Sequence, residues 1–255
     1  MKSLKEKSGY AAILIISIAG IVGMLMLEPI AQDPAYHQFA DQRTILGVPN
    51  FWNVVSNLPF LIIGMMGLFS LFHAGRIKFM NEIKPAYILF FAGVVLVNFG
   101  SGYYHLWPDN ETLVWDRLPM TLAFMALFAV IVGEFASLRT SKLALWPLII
   151  VGAFSVFYWH FTETAGHGDL RLYALVQFLP MLLIPLLLLL FKPRFTGTGG
   201  YWAMLFAYVL AKVFEFSDGS VFNSLDIISG HSLKHIAAAL GVLFLLRTYK
   251  TRERT

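Results

Sequence analysis

Apolar residues run along this chain in long blocks separated by short polar stretches, and the blocks have the length of a bilayer rather than of a soluble helix. A hydrocarbon core of about 30 Å takes roughly 20 helical residues, and that template fits eight segments, at about 10–27, 54–73, 85–105, 119–138, 143–162, 172–191, 200–215 and 232–249. The polar connections are too short to hold a separate soluble domain. No short repeat is present, and the Leu-rich run 182–190 is ordinary lipid-facing sequence. The pattern predicts an all-α fold, a polytopic membrane helical bundle.

Composition strengthens this picture. Of 255 residues, 58% are hydrophobic and 13% charged, about half the charged fraction of a soluble domain. The first apolar segment follows Lys2, Lys5 and Lys7 as a secretory signal would. Its apolar run exceeds the usual core of about 7–15 residues, however, and no small-x-small cleavage site follows before Asp33, so a retained anchor helix is expected over residues 1–30. The absence of cysteine excludes disulfides, thiolate metal sites and cysteine nucleophiles.

Charge sets an orientation. With the connections numbered alternately, one side collects 14 of the 19 basic residues, from Lys2, Lys5 and Lys7 through Arg76, Lys78, Arg139 and Lys192 to Arg252 and Arg254. By the positive-inside rule this side is cytoplasmic and holds both termini. The other side gathers most carboxylates and six of the seven histidines, which places any chemistry towards the outer (periplasmic or lumenal) face. Topology alone accounts for the net charge of +4, and no nucleic-acid partner is implied.

Several polar residues stand at helical intervals where apolar segments end. Ser101 and His105 are four apart, as are His231 and His235, so each pair shares one helix face. Two imidazoles on one helix and a third from another make a three-histidine set, which suits zinc with a fourth position open for water. Asp116, eleven residues after His105, is either a helix-start residue or a general base beside such a water. Ser101 either bonds back to its own helix or reaches the water or an oxyanion. Two further polar groups are ambiguous. His160, Glu163, His167, Asp169 and Arg171 read better as a solvated loop with a capping Asp169 than as a second metal site. Asp33, His37, Asp41 and Arg43 offer too few oxygens for calcium.

Taken together, Asn50-Phe51-Trp52-Asn53-Val54-Val55-Ser56-Asn57, Gly100-Ser101-Gly102-Tyr103-Tyr104-His105, Asp116-Arg117-Leu118-Pro119-Met120 and His231-Ser232-Leu233-Lys234-His235 resemble the alkaline ceramidases. These belong, with the adiponectin-type receptors, to a superfamily of seven-helix membrane hydrolases. The resemblance runs over roughly residues 50–245 in motif order and spacing. It implies zinc (Zn2+) held by His105, His231 and His235, with Ser101 and Asp116 as catalytic residues beside the activated water. It also implies a seven-helix hydrolase core over residues 31–255, with the first segment an addition. Relatives similar to this chain carry calcium (Ca2+) ahead of the first core helix; Asp41 and Asn50 occupy the corresponding positions, Asn50 standing where the family has glutamate.

The expected activity is that of a zinc-dependent membrane amidohydrolase. It would cut the amide of a ceramide-like membrane lipid into a fatty acid and a sphingoid base. One alternative is a lipid-sensing seven-helix receptor with a structural zinc, which a large cytoplasmic extension would favour. A transporter with a His/Asp relay would instead spread polar residues through the membrane thickness.

Overall fold

The computed structural model describes residues 4–255; Lys2 and Ser3 lie outside the described residues. The chain is helical, in the order α1 (Leu4–Leu25), α2 (Phe51–Val55), α3 (Leu58–Phe72), α4 (Lys84–Leu106), α5 (Asn110–Ile131), α6 (Leu138–Thr164), α7 (Arg171–Leu190), α8 (Gly199–Phe216), α9 (Asp218–Leu225) and α10 (Gly230–Thr251). Every predicted apolar segment falls on a helix. Among the described residues, six spans are long and apolar enough to cross a bilayer, and a seventh if α9 and α10, bent by 105° between them, count as one. Eight were expected. The shortfall lies in α8 and α10, which hold Lys212, Glu215, His231, Lys234 and His235 and are correspondingly more polar.

Leu14, Ile18, Ile62, Phe69, Ile150, Phe154 and Phe206 form part of an exposed apolar surface, the arrangement expected where lipid is the solvent. The interior is built from α3, α4, α5, α7, α8 and α10 around Phe91, Val94, Ala126, Val130, Ile184 and Leu245. Helix α1 packs along α7 and is fastened by Tyr10, whose hydroxyl donates to the Ala136 carbonyl at 2.8 Å.

Two departures from the apolar pattern matter for the site. Helix α5 starts at Asn110 rather than near 119, because Asp109 and Thr112 form a reciprocal capping box that satisfies the first amides of a polar turn. Asp116 and Arg117 therefore lie inside a helix and not in a connection. The second apolar segment is broken at Ser56 and Asn57, just ahead of Pro59, whose missing N–H cannot continue the helical ladder.

A buried polar knot closes the opposite end of the bundle. Arg252 donates to Glu134 through Nη1 at 2.9 Å and Nη2 at 2.7 Å, and the Tyr201 hydroxyl donates to the same carboxylate at 2.8 Å. Tyr87 also bonds Glu134. Glu134 sits in a π-helical turn, Val132–Ala136, at the end of α5.

Candidate active site

The site begins with a close approach of two helices. Pro119 has no N–H to give the Trp115 carbonyl, so α5 is open there. Gly100 of α4 lies against that carbonyl; a Cβ at position 100 would sit 2.0 Å from Trp115 O. No other residue type fits, and the approach brings Ser101 beside Asp116. Both side chains are buried.

One turn above Ser101, His105 meets the N-terminal turn of α10. The rings of His105, His231 and His235 lie with centroids 4.8, 5.0 and 5.1 Å apart, and one nitrogen from each falls within 4.8 Å of the others. All three are buried. Phe39 roofs the cluster, its ring 4.7 Å from His105 and 4.6 Å from His231.

The surroundings fix the orientation of these rings. Ser56 Oγ donates to the Asn53 carbonyl at 3.2 Å and lies 2.8 Å from His235 Nδ1. With its proton so engaged, the hydroxyl accepts from Nδ1–H, leaving His235 Nε2 as the bare nitrogen. That Nε2 faces His105 Nε2 at 3.4 Å, and His231 Nε2 is buried without a partner. An unsatisfied buried polar atom costs about 1–3 kcal/mol, and convergent imidazoles of this kind fit a cation. The His105/His231/His235 group can thus hold a metal ion.

Helix α10 is itself anchored. Asp218 Oδ1 accepts the His231 amide at 2.7 Å and Oδ2 the Ala40 amide at 2.9 Å, so both oxygens are engaged in tying α10 to the segment before α2. Gly230 permits this contact, since a Cβ there would meet Phe214 O at 2.2 Å. Ser232 donates to Asn53 Oδ1 at 2.8 Å, and Asn53 donates to the Asp41 carbonyl at 3.1 Å. Asn50, in left-handed backbone geometry at φ 48°, gives its amide to the His105 carbonyl at 2.8 Å.

Asp41 and Asn50, the residues expected near calcium, do not converge as oxygen donors. The Asp41 carboxylate is held by the Arg43 guanidinium at 2.9 and 2.7 Å, and Arg43 also donates to the Asp226 and Ile227 carbonyls. Burial would raise the Asp41 carboxyl, but the Arg43 hydrogen bonds and charge outweigh it and hold the group below its usual range. A cation from the chain already occupies the place of an ion, and the donor set does not fit calcium. The other polar loop is likewise self-contained: Asp169 is pinned by Arg171, which lowers its carboxyl, and Glu163 accepts from Trp159 and the Gln32 amide.

Beneath the histidines opens a cavity of about 370 Å³, walled mainly by apolar side chains such as Phe60, Val94, Met120, Phe124, Met181 and Met204. Ser101, Asp116 and His235 line it, as do Arg117, Lys212, Glu215 and Lys234. Motif spacing gave no role to Ser56, Asn53, Phe39 or Lys234. The signal available for Lys234 is its charge between two histidines, and for Ser56 its position ahead of the Asn57-Leu58-Pro59 break.

No curated protein matches the sequence significantly. The family model described as Ceramidase matches residues 45–192, a stretch that contains Ser101, His105 and Asp116 and stops short of His231 and His235. Membership supports a hydrolase acting on the amide of ceramide-type lipids, and the long apolar helices suggest a multi-pass membrane protein. Since the match covers more than half of the chain, the protein belongs to the ceramidase family.

Proposed function

We propose that the protein is a zinc-dependent membrane amidohydrolase that cleaves ceramide-like lipids to a fatty acid and a sphingoid base. The observation that carries this reading is a cluster of three buried imidazoles, one of which, His235, lines the same apolar cavity as Ser101 and Asp116. His105, His231 and His235 would hold the ion. Three imidazoles without thiolate are the ligand set of an open catalytic zinc, and bonds of about 2.0–2.1 Å in a tetrahedron put neighbouring nitrogens about 3.3–3.4 Å apart. His105 Nε2 and His235 Nε2 are separated by 3.4 Å. When bound, zinc supplies Lewis acidity towards the amide carbonyl and towards water.

The chain's own residues manage the protons. Asp116 takes one from the attacking water and returns it to the amide nitrogen as the C–N bond breaks. The water's oxygen then ends in the fatty acid and its proton on the amine. Ser101 orients the carboxylate and offers its hydroxyl to the water, or to the carbonyl oxygen as charge builds there. Lipid enters sideways from the bilayer into the apolar cavity.

The basic bias of the connections supports cytoplasmic termini and a site near the outer face. We further assign residues 1–30 as an anchor added to a seven-helix core, residues 31–255. The family match begins only at residue 45, after α1.

The test uses the purified full chain with a short-chain fluorescent ceramide. It should contain zinc near one per chain and release labelled fatty acid, with both lost in His231→Ala. Full zinc retention in a variant lacking all three histidines, or no amide cleavage by zinc-loaded wild type, overturns the reading.

A further inference from the structure

The cavity's charges do not balance. Five acidic or basic side chains other than histidine and tyrosine line it: Asp116 and Glu215 against Arg117, Lys212 and Lys234. Glu215 is shared between two ammonium groups, Lys212 on Oε2 and Lys234 on Oε1, each at 2.6 Å. One carboxylate cannot neutralise both. Asp116 lies beside Ser101 and within electrostatic reach of Lys234, and Arg117, although its neighbour in sequence, forms no ion pair with a carboxylate among the described residues.

Arg117 is only 5% exposed. Its Nη2 donates to Gln32 Oε1 at 2.6 Å, and its guanidinium lies 4.1 Å from the Trp159 ring centroid and 4.6 Å from that of Tyr173. Those aromatic faces hold the group flat and soften its burial, but they supply no counter-charge. Its Nη1 is buried without a partner. Tyr36 joins Arg117 to the lysine cluster: its hydroxyl reaches Glu215 Oε1 at 3.5 Å and its ring lies 5.9 Å from the guanidinium. A desolvated cation is retained where an anion arrives to meet it, and a metal ion on the histidines would add further positive charge.

We propose that the preferred substrate is an N-acyl lipid whose amine half carries an anionic group a few bonds from the amide, received by Arg117, Lys212 and Lys234. The inference rests on the amidohydrolase reading for its chemistry but not for its binding. Arg117, Lys212 and Lys234 line the same cavity as Asp116 and His235, so an anion met by these side chains shares that cavity with the scissile bond. The anion sits on the amine half because a fatty acyl chain offers only methylenes beside its carbonyl. The apolar remainder of the cavity takes hydrocarbon. Phosphate, sulfonate and carboxylate share the required chemistry.

The experiment compares kcat/KM of the zinc-loaded full chain for four fluorescent short-chain amides: N-acylsphingosine, its 1-phosphate, an N-acyl taurine and an N-acyl glycine. At least one anionic amide should be preferred to neutral N-acylsphingosine by about tenfold or more, and the preferred one identifies the anion. Arg117→Gln and Lys212→Gln should each shrink that ratio. Lys212, nearer the surface, keeps the test open if Arg117→Gln does not fold. Equal or better use of the neutral amide, or an unchanged ratio in a folded Arg117→Gln protein, overturns the proposal. A second measurement separates binding from catalysis: an alkyl phosphate should raise the Tm more than the alcohol of equal chain length, and less so in Lys212→Gln. If no amide is cut but this difference holds, the hydrolase reading fails while the anion site stands. If the phosphate and alcohol stabilise alike, the anion site fails.

Discussion

Replacing Ser56 with alanine should weaken the metal centre without touching a ligand. The Ser56 hydroxyl is the group that receives His235 Nδ1–H at 2.8 Å, and it can do so because its own proton goes to the Asn53 carbonyl. Removal leaves a buried ring N–H unsatisfied, at a cost of about 1–3 kcal/mol, and frees the imidazole to adopt the tautomer that puts its proton towards the cluster. The Asn53 carbonyl loses little, since it still accepts from Asn57 Nδ2 at 2.8 Å. Loss of such an orienting partner lowers metal affinity about 10–100-fold, equivalent to about 1.4–2.7 kcal/mol. Competition against a chelator of known zinc affinity, followed with a metal-sensitive dye, measures the change directly. Ser56→Thr, which restores the hydroxyl, is the control and should recover most of the loss. If Ser56→Ala held zinc within about twofold of wild type, the ring would be oriented by its packing against His105 and His231, and the tautomer argument would be wrong.

Three further outcomes are expected. Asp116→Asn should cut turnover by about 10²–10⁴-fold while zinc content stays at the wild-type value; near-normal hydrolysis of a fluorescent ceramide would reduce Asp116 to a helix-start residue. Glu134→Gln should lower the Tm markedly, because Arg252 loses its buried partner and breaking such a pair costs about 3–5 kcal/mol; zinc should be retained, and an unchanged Tm would mean the knot contributes nothing to stability. In the native chain, which has no cysteine, an impermeant thiol reagent applied to intact cells should label His167→Cys but not Thr251→Cys. The reverse pattern would invert the proposed orientation.

What could be read from the sequence followed from periodicity, which reports a helix face but not what that face meets. Ser101/His105 and His231/His235 were legible as pairs because four residues make about one helical turn, and a bilayer leaves few reasons for imidazoles to stand together in apolar segments. Asp116 was legible both as a residue and as part of a helix start, although the hydrophobic run marks that helix only from about 119. Its turn is polar, so the apolar scan began α5 too late, and the capping box at Asp109 and Thr112 decides the true start. Partners across the bundle left no local trace. Ser56 and His235 are 179 residues apart, and Arg117 reaches Gln32 across 85. Their meeting depends on Gly100 admitting α4 to the gap that Pro119 opens in α5, and on Gly230 admitting the start of α10 beside α8. The same limit explains the calcium expectation. Asp41 looked like a spare carboxylate until the fold returned Arg43 onto it and onto the Asp226 and Ile227 carbonyls. A charged residue's function is set by the charge it meets, which is why Arg117, left without a carboxylate in a cavity that already holds two lysines, says more about the ligand than the histidines do.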